Sequence, residues 1–226
     1  MLRAIVFDFD GVLANSEPLH LRAYQEILAG EGLTLSESEY YSRYLGYDDV
    51  GMLTKLGADR GRHWTDVEID RLVARKAVRM EVLERDHSIL FPGAADVVRR
   101  AAHELPIAIA SGALGAEIRR VLDREQLTSC FKAIVAAEDT PISKPSPEPY
   151  RKAVELLAEH VGARLDAADC VAIEDSRWGL ESARRAGLRT VGVAQTYDRS
   201  ELGIADIVID TIGAFDLREL IQLCRP

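Results

Sequence analysis

Cysteine is scarce in this chain of 226 residues: Cys130, Cys170 and Cys224 lie far apart, with no Cys-x-x-Cys pair. Such spacing predicts no disulfide framework and fits reduced thiols in a cytoplasmic setting. Positive charge is scarce as well. The 28 Lys and Arg stand against 37 Asp and Glu, a formal net charge of −9, which excludes the broad basic footprint that nucleic-acid binding needs. A phosphorylated ligand would have to be met by local positive charge instead. No apolar run is long enough to span a bilayer, and the run at residues 2–9 stops at acids without a cleavage-site pattern, so no membrane partner is expected. There is no internal repeat and no low-complexity tract, and no His/Cys cluster suggests zinc.

With 47% hydrophobic and 29% charged residues, the chain can bury one large core, or a main core with a smaller satellite. Short apolar runs bounded by turn or acidic residues fall at 4–7, 107–110, 133–136, 171–173, 190–193 and 207–209, and are predicted as buried strands. Helix-spaced apolar residues at 114–124, 147–160, 179–186 and 215–223 lie between and after them. This alternation predicts an α/β fold, a Rossmann-like doubly wound parallel sheet with helices on both faces. Residues 16–90 break the rhythm: several helices are predicted, with no strand between Pro18 and Leu90. The expected organisation is a catalytic core of residues 1–15 and 91–226, with residues 16–90 as an all-helical insertion. Phe91, Pro92 and Gly93 mark the turn back into the core, ahead of a helix starting near Ala94.

Four predicted strand ends carry polar residues. The first runs into Asp8-Phe9-Asp10-Gly11, where an isolated acidic pair would ordinarily be read as polar turn residues. The second ends in Ser111-Gly112, ahead of a helix whose free N–H groups could face an anion; Ser111 as a plain helix cap is the simpler reading taken alone. The third stretch, Ser143-Lys144-Pro145-Ser146-Pro147, puts a lysine before a rigid turn. The fourth ends in Glu174-Asp175-Ser176, and two acids at one strand end repel unless a cation or donor compensates. Ligands of open parallel sheets bind beyond the carboxyl ends of the strands. If these ends share one edge, Asp8, Asp10, Glu174 and Asp175 meet Ser111 and Lys144, which is a site for phosphate and a hard, oxygen-liganded cation such as Mg²⁺.

The ordered set Asp8-x-Asp10, Ser111, Lys144 and Glu174-Asp175 resembles the four motifs of the haloacid dehalogenase superfamily, and the resemblance covers essentially the whole chain. The helical insertion resembles the cap domain of its β-phosphoglucomutase-like phosphatases and mutases. The resemblance implies a Mg²⁺-dependent hydrolysis of a small phosphorylated metabolite. Asp8 would be the nucleophile that forms an aspartyl-phosphate, and Asp10 the acid and base. Ser111, Gly112 and Lys144 would hold the phosphoryl group. Asp8, the carbonyl of Asp10 and Asp175 would hold Mg²⁺, with Glu174 nearer to a water-mediated role. Asp10 favours phosphoryl chemistry, because the dehalogenases lack that second acid.

In the insertion, His20 and Lys76 are candidate substrate contacts, although for Lys76 a solvated helix face is the favoured reading. Leu45 and Asp49 stand where the mutase pattern resembles Lys-Gly-x-x-Arg, and Tyr40, Tyr41, Tyr44 and Tyr47 read mostly as packing. That loss of positive charge favours a phosphatase over a phosphosugar mutase, the alternative enzyme. A catalytically silent binding protein on the same fold is the remote alternative. The residues do not name the substrate or the oligomeric state.

Overall fold

The computed structural model describes residues 1–84 and 88–224. The chain divides into two compact units, Met1–Asn15 with Ile89–Pro226, and Ser16–Ser88. Strand β1 (Ala4–Phe7) opens the first unit. The second unit follows, built of α1 (Glu17–Ala29), α2 (Glu37–Arg43), α3 (Asp49–Asp59) and α4 (Asp66–Glu84).

Each later start in the helical unit is fixed by a local polar group. Ser36 Oγ accepts from Glu39 N ahead of α2, Asp48 Oδ1 accepts from Gly51 N ahead of α3, and Thr65 exchanges hydrogen bonds with Glu68 at α4, which satisfies N–H groups that a helix start leaves open. The unit has its own apolar core, centred on Tyr24, Leu28, Tyr44, Met52, Leu53 and Leu56. Tyr40 and Tyr44 are buried in it, while Tyr41 and Tyr47 are exposed.

The first unit continues with α5 (Ala94–Glu104), β2 (Ile107–Ala110), α6 (Gly115–Arg124), β3 (Phe131–Val135), α7 (Glu148–Val161), β4 (Cys170–Glu174), α8 (Arg177–Ala186), β5 (Arg189–Val193), β6 (Ile207–Ile209) and α9 (Leu217–Leu223). All neighbouring strands pair in parallel, in the order β3-β2-β1-β4-β5-β6. This is the doubly wound α/β arrangement expected, with its switch of direction between β1 and β4. Side-chain alternation along the strands sorts the two faces. Ala4, Val6, Ala108, Ala110, Cys170 and Ala172 pack with Tyr150, Ala153 and Leu157 of α7 and Ala183 of α8. Their small size lets the helices lie close on the sheet. On β1, Phe7 stacks edge-on against Phe131 and tilted against Phe215, with ring centroids 6.4 and 6.2 Å apart.

Strand β3 begins two residues before the predicted 133. Phe131 is buried and Lys132 exposed, so this edge strand starts on an alternating pattern that a search for continuous apolar runs passes over. Where the chain leaves and re-enters the first unit, its two segments run antiparallel, with Asn15 N donating to Ile89 O and Phe91 N to Leu13 O. Gly93 turns the chain into α5 at a φ of +85°, which favours glycine, and a Cβ there would also sit tightly, 3.1 Å from Gly213 Cα. Among the described residues, no helix is long and apolar enough to cross a membrane.

Candidate active site

The sheet's direction switch brings the ends of β1 and β4 side by side, and the expected acids sit there. Asp8 follows β1, and its N–H donates to Ile173 O of β4 at 2.9 Å. Glu174 closes β4 and Asp175 follows it. Ser111 follows β2, with its N–H on Val135 O at 2.9 Å. Thus the same strand-to-strand ladder that builds the sheet carries Asp8, Ser111 and Asp175 one residue beyond it.

Lys144 comes from the connection between β3 and α7 and joins two of the acids. Its Nζ lies 2.6 Å from Glu174 Oε1 and 3.0 Å from Asp8 Oδ1. Asp8 Oδ1 also accepts from Phe9 N at 2.7 Å. Glu174, with no exposed surface, is engaged on both oxygens: Oε1 accepts from Lys144 and from the Tyr150 hydroxyl at 2.7 Å, and Oε2 from Asp175 N and Ser176 Oγ. Gly179 leaves the room this needs, since a Cβ there would collide with the Glu174 carboxylate.

Electrostatics follow from burial and crowding. Asp8 is pushed up from 3.8 to about 7, first by burial and next by Glu174, against the pull of Lys144 and of the Phe9 amide. Burial opposes the charge of Lys144, but Asp8 and Glu174 outweigh it and raise its pKa. The ligand oxygens of Asp8, Glu174 and Asp175 lie within 4.8 Å of one another. Three carboxylates against one ammonium leave excess negative charge in a buried, all-oxygen donor set, which suits a hard divalent cation. The residues present therefore fit Mg²⁺.

The phosphate-binding candidates are placed less uniformly. Ser111 is buried, and its Oγ accepts from Ala113 N at 3.1 Å, which leaves the hydroxyl proton to donate elsewhere. Ser111 is thus not the cap of α6. The first N–H of α6 does face an anion, but it is the chain's own Glu138 carboxylate. Gly112 is exposed, and a Cβ there would meet nothing within 4 Å. Asp10 is half-buried and its backbone bridges to Ala14. Gly11 next to it adopts a φ of +75°, and a Cβ there would collide with the Asp175 carboxylate.

Two further residues had not been singled out from the sequence. Tyr150 is described above. Gln195 clamps the loop that carries Asp10, with Nε2 donating to Gly11 O and Val12 O and Oε1 accepting from Ile212 N. Tyr150 was traceable as an aromatic on the buried stripe of α7, whose hydroxyl needs a partner once buried. Gln195 carries no such signal.

His20 and Lys76 belong to the helical unit and touch each other. Lys76 lies on no solvated face: it is 1% exposed, and its Nζ donates to Asp49 Oδ1 at 2.5 Å and to His20 Nδ1 at 2.6 Å. It also sits 5.0 Å from the centre of the Tyr24 ring, whose hydroxyl donates to Asp49 Oδ1. The solvated face expected for Lys76 on α4 is not found, because the Asp49 carboxylate, 27 positions away, pairs with the ammonium inside the unit. Burial first, and Lys76 next, push His20 down to about 3, so its imidazole is neutral and accepts from the lysine. Burial disfavours the charge of Asp49, but the charge and hydrogen bond of Lys76, with the Tyr24 hydroxyl, outweigh it and lower its pKa.

Known proteins resemble this chain in sequence and fold. A family description of haloacid dehalogenase-like hydrolases matches residues 2–187. The protein CbbY of Rhodobacter capsulatus is 32% identical over 207 residues, 88% of each chain. Hexitol phosphatase B of Escherichia coli K12 is 27% identical over 221 residues, 96% of each. Among solved structures, a CbbY mutant from Rhodobacter sphaeroides in complex with xylulose-(1,5)bisphosphate superimposes with a TM-score of 0.86 at 27% identity, covering 97% of this chain and 99% of that one. A β-phosphoglucomutase from Clostridium difficile shares the fold, with a TM-score of 0.84 at 20% identity over 99% and 97% of the two chains. The chain therefore belongs to the haloacid dehalogenase-like hydrolases, in their β-phosphoglucomutase-like branch, and is a phosphomonoester hydrolase.

Proposed function

We propose that this protein is a Mg²⁺-dependent phosphatase of a small sugar phosphate or polyol phosphate, working through an aspartyl-phosphate on Asp8. The observation that carries this reading is Lys144 Nζ, held at 3.0 Å from Asp8 Oδ1 and 2.6 Å from Glu174 Oε1 beside Asp175. The hydrogen bond from Phe9 N and the ion pair with Lys144 both fall on Oδ1 of Asp8, which assigns Oδ2 as the oxygen to attack phosphorus. As that bond forms, the bond from phosphorus to the ester oxygen breaks, and Asp10 protonates the leaving alkoxide. Asp10 then takes a proton from water, which attacks phosphorus and releases Asp8 and inorganic phosphate.

Asp8, the carbonyl of Asp10 and Asp175 would hold Mg²⁺, while Glu174 orders Lys144 and would meet the cation through water. Bound there, Mg²⁺ would neutralise charge between nucleophile and phosphate. Ser111 Oγ, the N–H of Gly112 and Lys144 hold the non-bridging phosphoryl oxygens and stabilise the charge that moves onto them.

Hydrolysis is favoured over sugar-phosphate isomerisation because the helical unit's buried lysine is already committed. A second phosphate would have to displace Asp49 from Lys76, whereas a neutral hydroxyl can exchange into a network of Asp49, His20 and Tyr24. His20 and Lys76 are accordingly proposed as contacts to substrate hydroxyls. The sugar-phosphate class is supported by the named phosphatase and sugar bisphosphate relatives, and a cytoplasmic location fits such a substrate. The test is a phosphate-release screen with Mg²⁺ across hexitol, ketose, aldose and nucleoside monophosphates and phosphoglycolate, ranked by kcat/KM. A sugar or polyol monophosphate should lead; release from none of them would sink the proposal.

A further inference from the structure

We infer that Tyr150 is a positioning residue that sets the reach of Lys144 toward phosphate; this rests on the phosphatase reading. Tyr150 is fully buried, two residues after Glu148 opens α7, within the apolar layer between that helix and the sheet. Its ring anchors it there. Its hydroxyl emerges at the acid cluster and donates to Glu174 Oε1 at 2.7 Å, the same oxygen that takes Lys144 at 2.6 Å. The Lys144 ammonium also lies 5.1 Å from the centre of the Tyr150 ring.

The consequence is a matter of counting donors. An ammonium has three N–H groups. Lys144 donates one to Glu174 and turns a second side to Asp8 in an ion pair at 3.0 Å, and the third can meet a phosphoryl oxygen. The tyrosine preserves that third donor in two ways. By sharing Oε1, its hydroxyl lowers the negative potential that would draw Lys144 wholly onto Glu174. Its ring attracts the cation without using a hydrogen-bond donor. A phenylalanine at 150 keeps the ring and the packing but withdraws the hydroxyl, so Lys144 shifts toward Glu174 and away from the phosphoryl group.

The test combines turnover with binding of inorganic phosphate, measured by calorimetry in the presence of Mg²⁺. Tyr150→Phe should lower kcat and weaken phosphate binding by about tenfold each, the scale of one hydrogen bond to a charged group, while KM moves less than kcat. In a double-mutant cycle, removing the hydroxyl in a Glu174→Gln background should cost less than about twofold, because the effect passes through Glu174. A merely structural loss would be additive. Full additivity, or phosphate affinity equal to wild type in Tyr150→Phe, would overturn the inference, as would no phosphate binding by the wild type. Intact phosphate binding without turnover on any ester would instead sink the phosphatase reading. If Tyr150→Phe fails to fold, the unaltered chain supplies the test: a protected Tyr150 hydroxyl proton, seen by NMR, should shift when inorganic phosphate saturates the protein, and an unmoved signal would overturn the inference.

Discussion

Each compact unit sets a lysine among acids, Lys76 buried and Lys144 largely so, and the two lysines are balanced differently. Lys144 faces two carboxylates directly, with Asp175 close by as a third. Lys76 meets one carboxylate, Asp49, and a neutral imidazole, His20. The first cluster carries more negative charge than its lysine cancels, and that surplus is what a divalent cation can neutralise. The second is internally balanced at its lysine, with the nearby Glu17 carboxylate raised in pKa by burial and accepting from Tyr40 at 2.6 Å. An over-supplied cluster is chemically unfinished without a ligand, and a balanced one is complete as folded. Under the proposed function, the chemistry belongs to the sheet unit, and the helical unit would select substrate with a buried lysine that is already paired to Asp49.

The strongest break of the first cluster is Asp8→Asn. It deletes the proposed nucleophile while keeping the side-chain shape, so kcat should fall by roughly four orders of magnitude or more, with the melt retained. Phosphate release near wild type in a folded variant would remove Asp8 from its role. Next in size is the metal. Chelation should stop turnover and Mg²⁺ restore it, and Asp175→Ala should raise the Mg²⁺ concentration for half-maximal rate by about 100-fold or abolish the rate. Full activity after exhaustive chelation, confirmed by metal analysis, would contradict the cation's part.

The second cluster is probed through stability. Asp49→Ala leaves Lys76, 1% exposed, without its carboxylate, at a cost of about 3 kcal/mol in chemical denaturation. Arg43→Ala breaks a pair with Asp59 in the same unit whose arginine is 48% exposed, and should cost less than about 1 kcal/mol. Equal losses would erase the distinction between a buried balanced pair and a solvated one.

The smallest effect separates the two clusters by pH. In metal-free protein, the folded pKa of Asp8 lies near 7, above its ordinary 3.8. Such a raised carboxyl favours the fold most below 3.8, and this contribution is lost as pH rises through 7. Asp8→Asn should therefore melt higher than wild type at pH 8, and the gap should close between about pH 7 and 4. Saturating Mg²⁺ should shrink it. A gap that does not change across this range would mean that Asp8 is not crowded as described.

Much of the sheet unit was legible because its central strands β1, β2 and β4 are apolar runs buried on both faces, and the proposed chemistry sits where those runs stop. Asp8, Ser111, Glu174 and Asp175 could be read from that rule together with the family resemblance. Lys144 could be read only as a candidate, since no periodicity fixes a loop residue. The contacts that tune the site were not legible. The Tyr150 hydroxyl reaches Glu174 across 24 positions, and the Gln195 amide reaches Gly11 across 184; such bonds depend on how helices and loops pack on the sheet. Lys76 shows the same limit in the helical unit, because its partner Asp49 lies 27 positions away. The acid that made the helical unit look hostile to phosphate is the one that holds its buried lysine.

The central claim, that water rather than a sugar hydroxyl accepts the phosphoryl group from Asp8, is tested most directly in one reaction vessel. Given β-glucose 1-phosphate and Mg²⁺, inorganic phosphate and glucose 6-phosphate are followed together, with and without a glucose bisphosphate activator. The expected result is phosphate release exceeding isomer formation under both conditions. Efficient isomerisation that depends on the bisphosphate, with little phosphate released, would contradict the claim and assign the chain to the mutases.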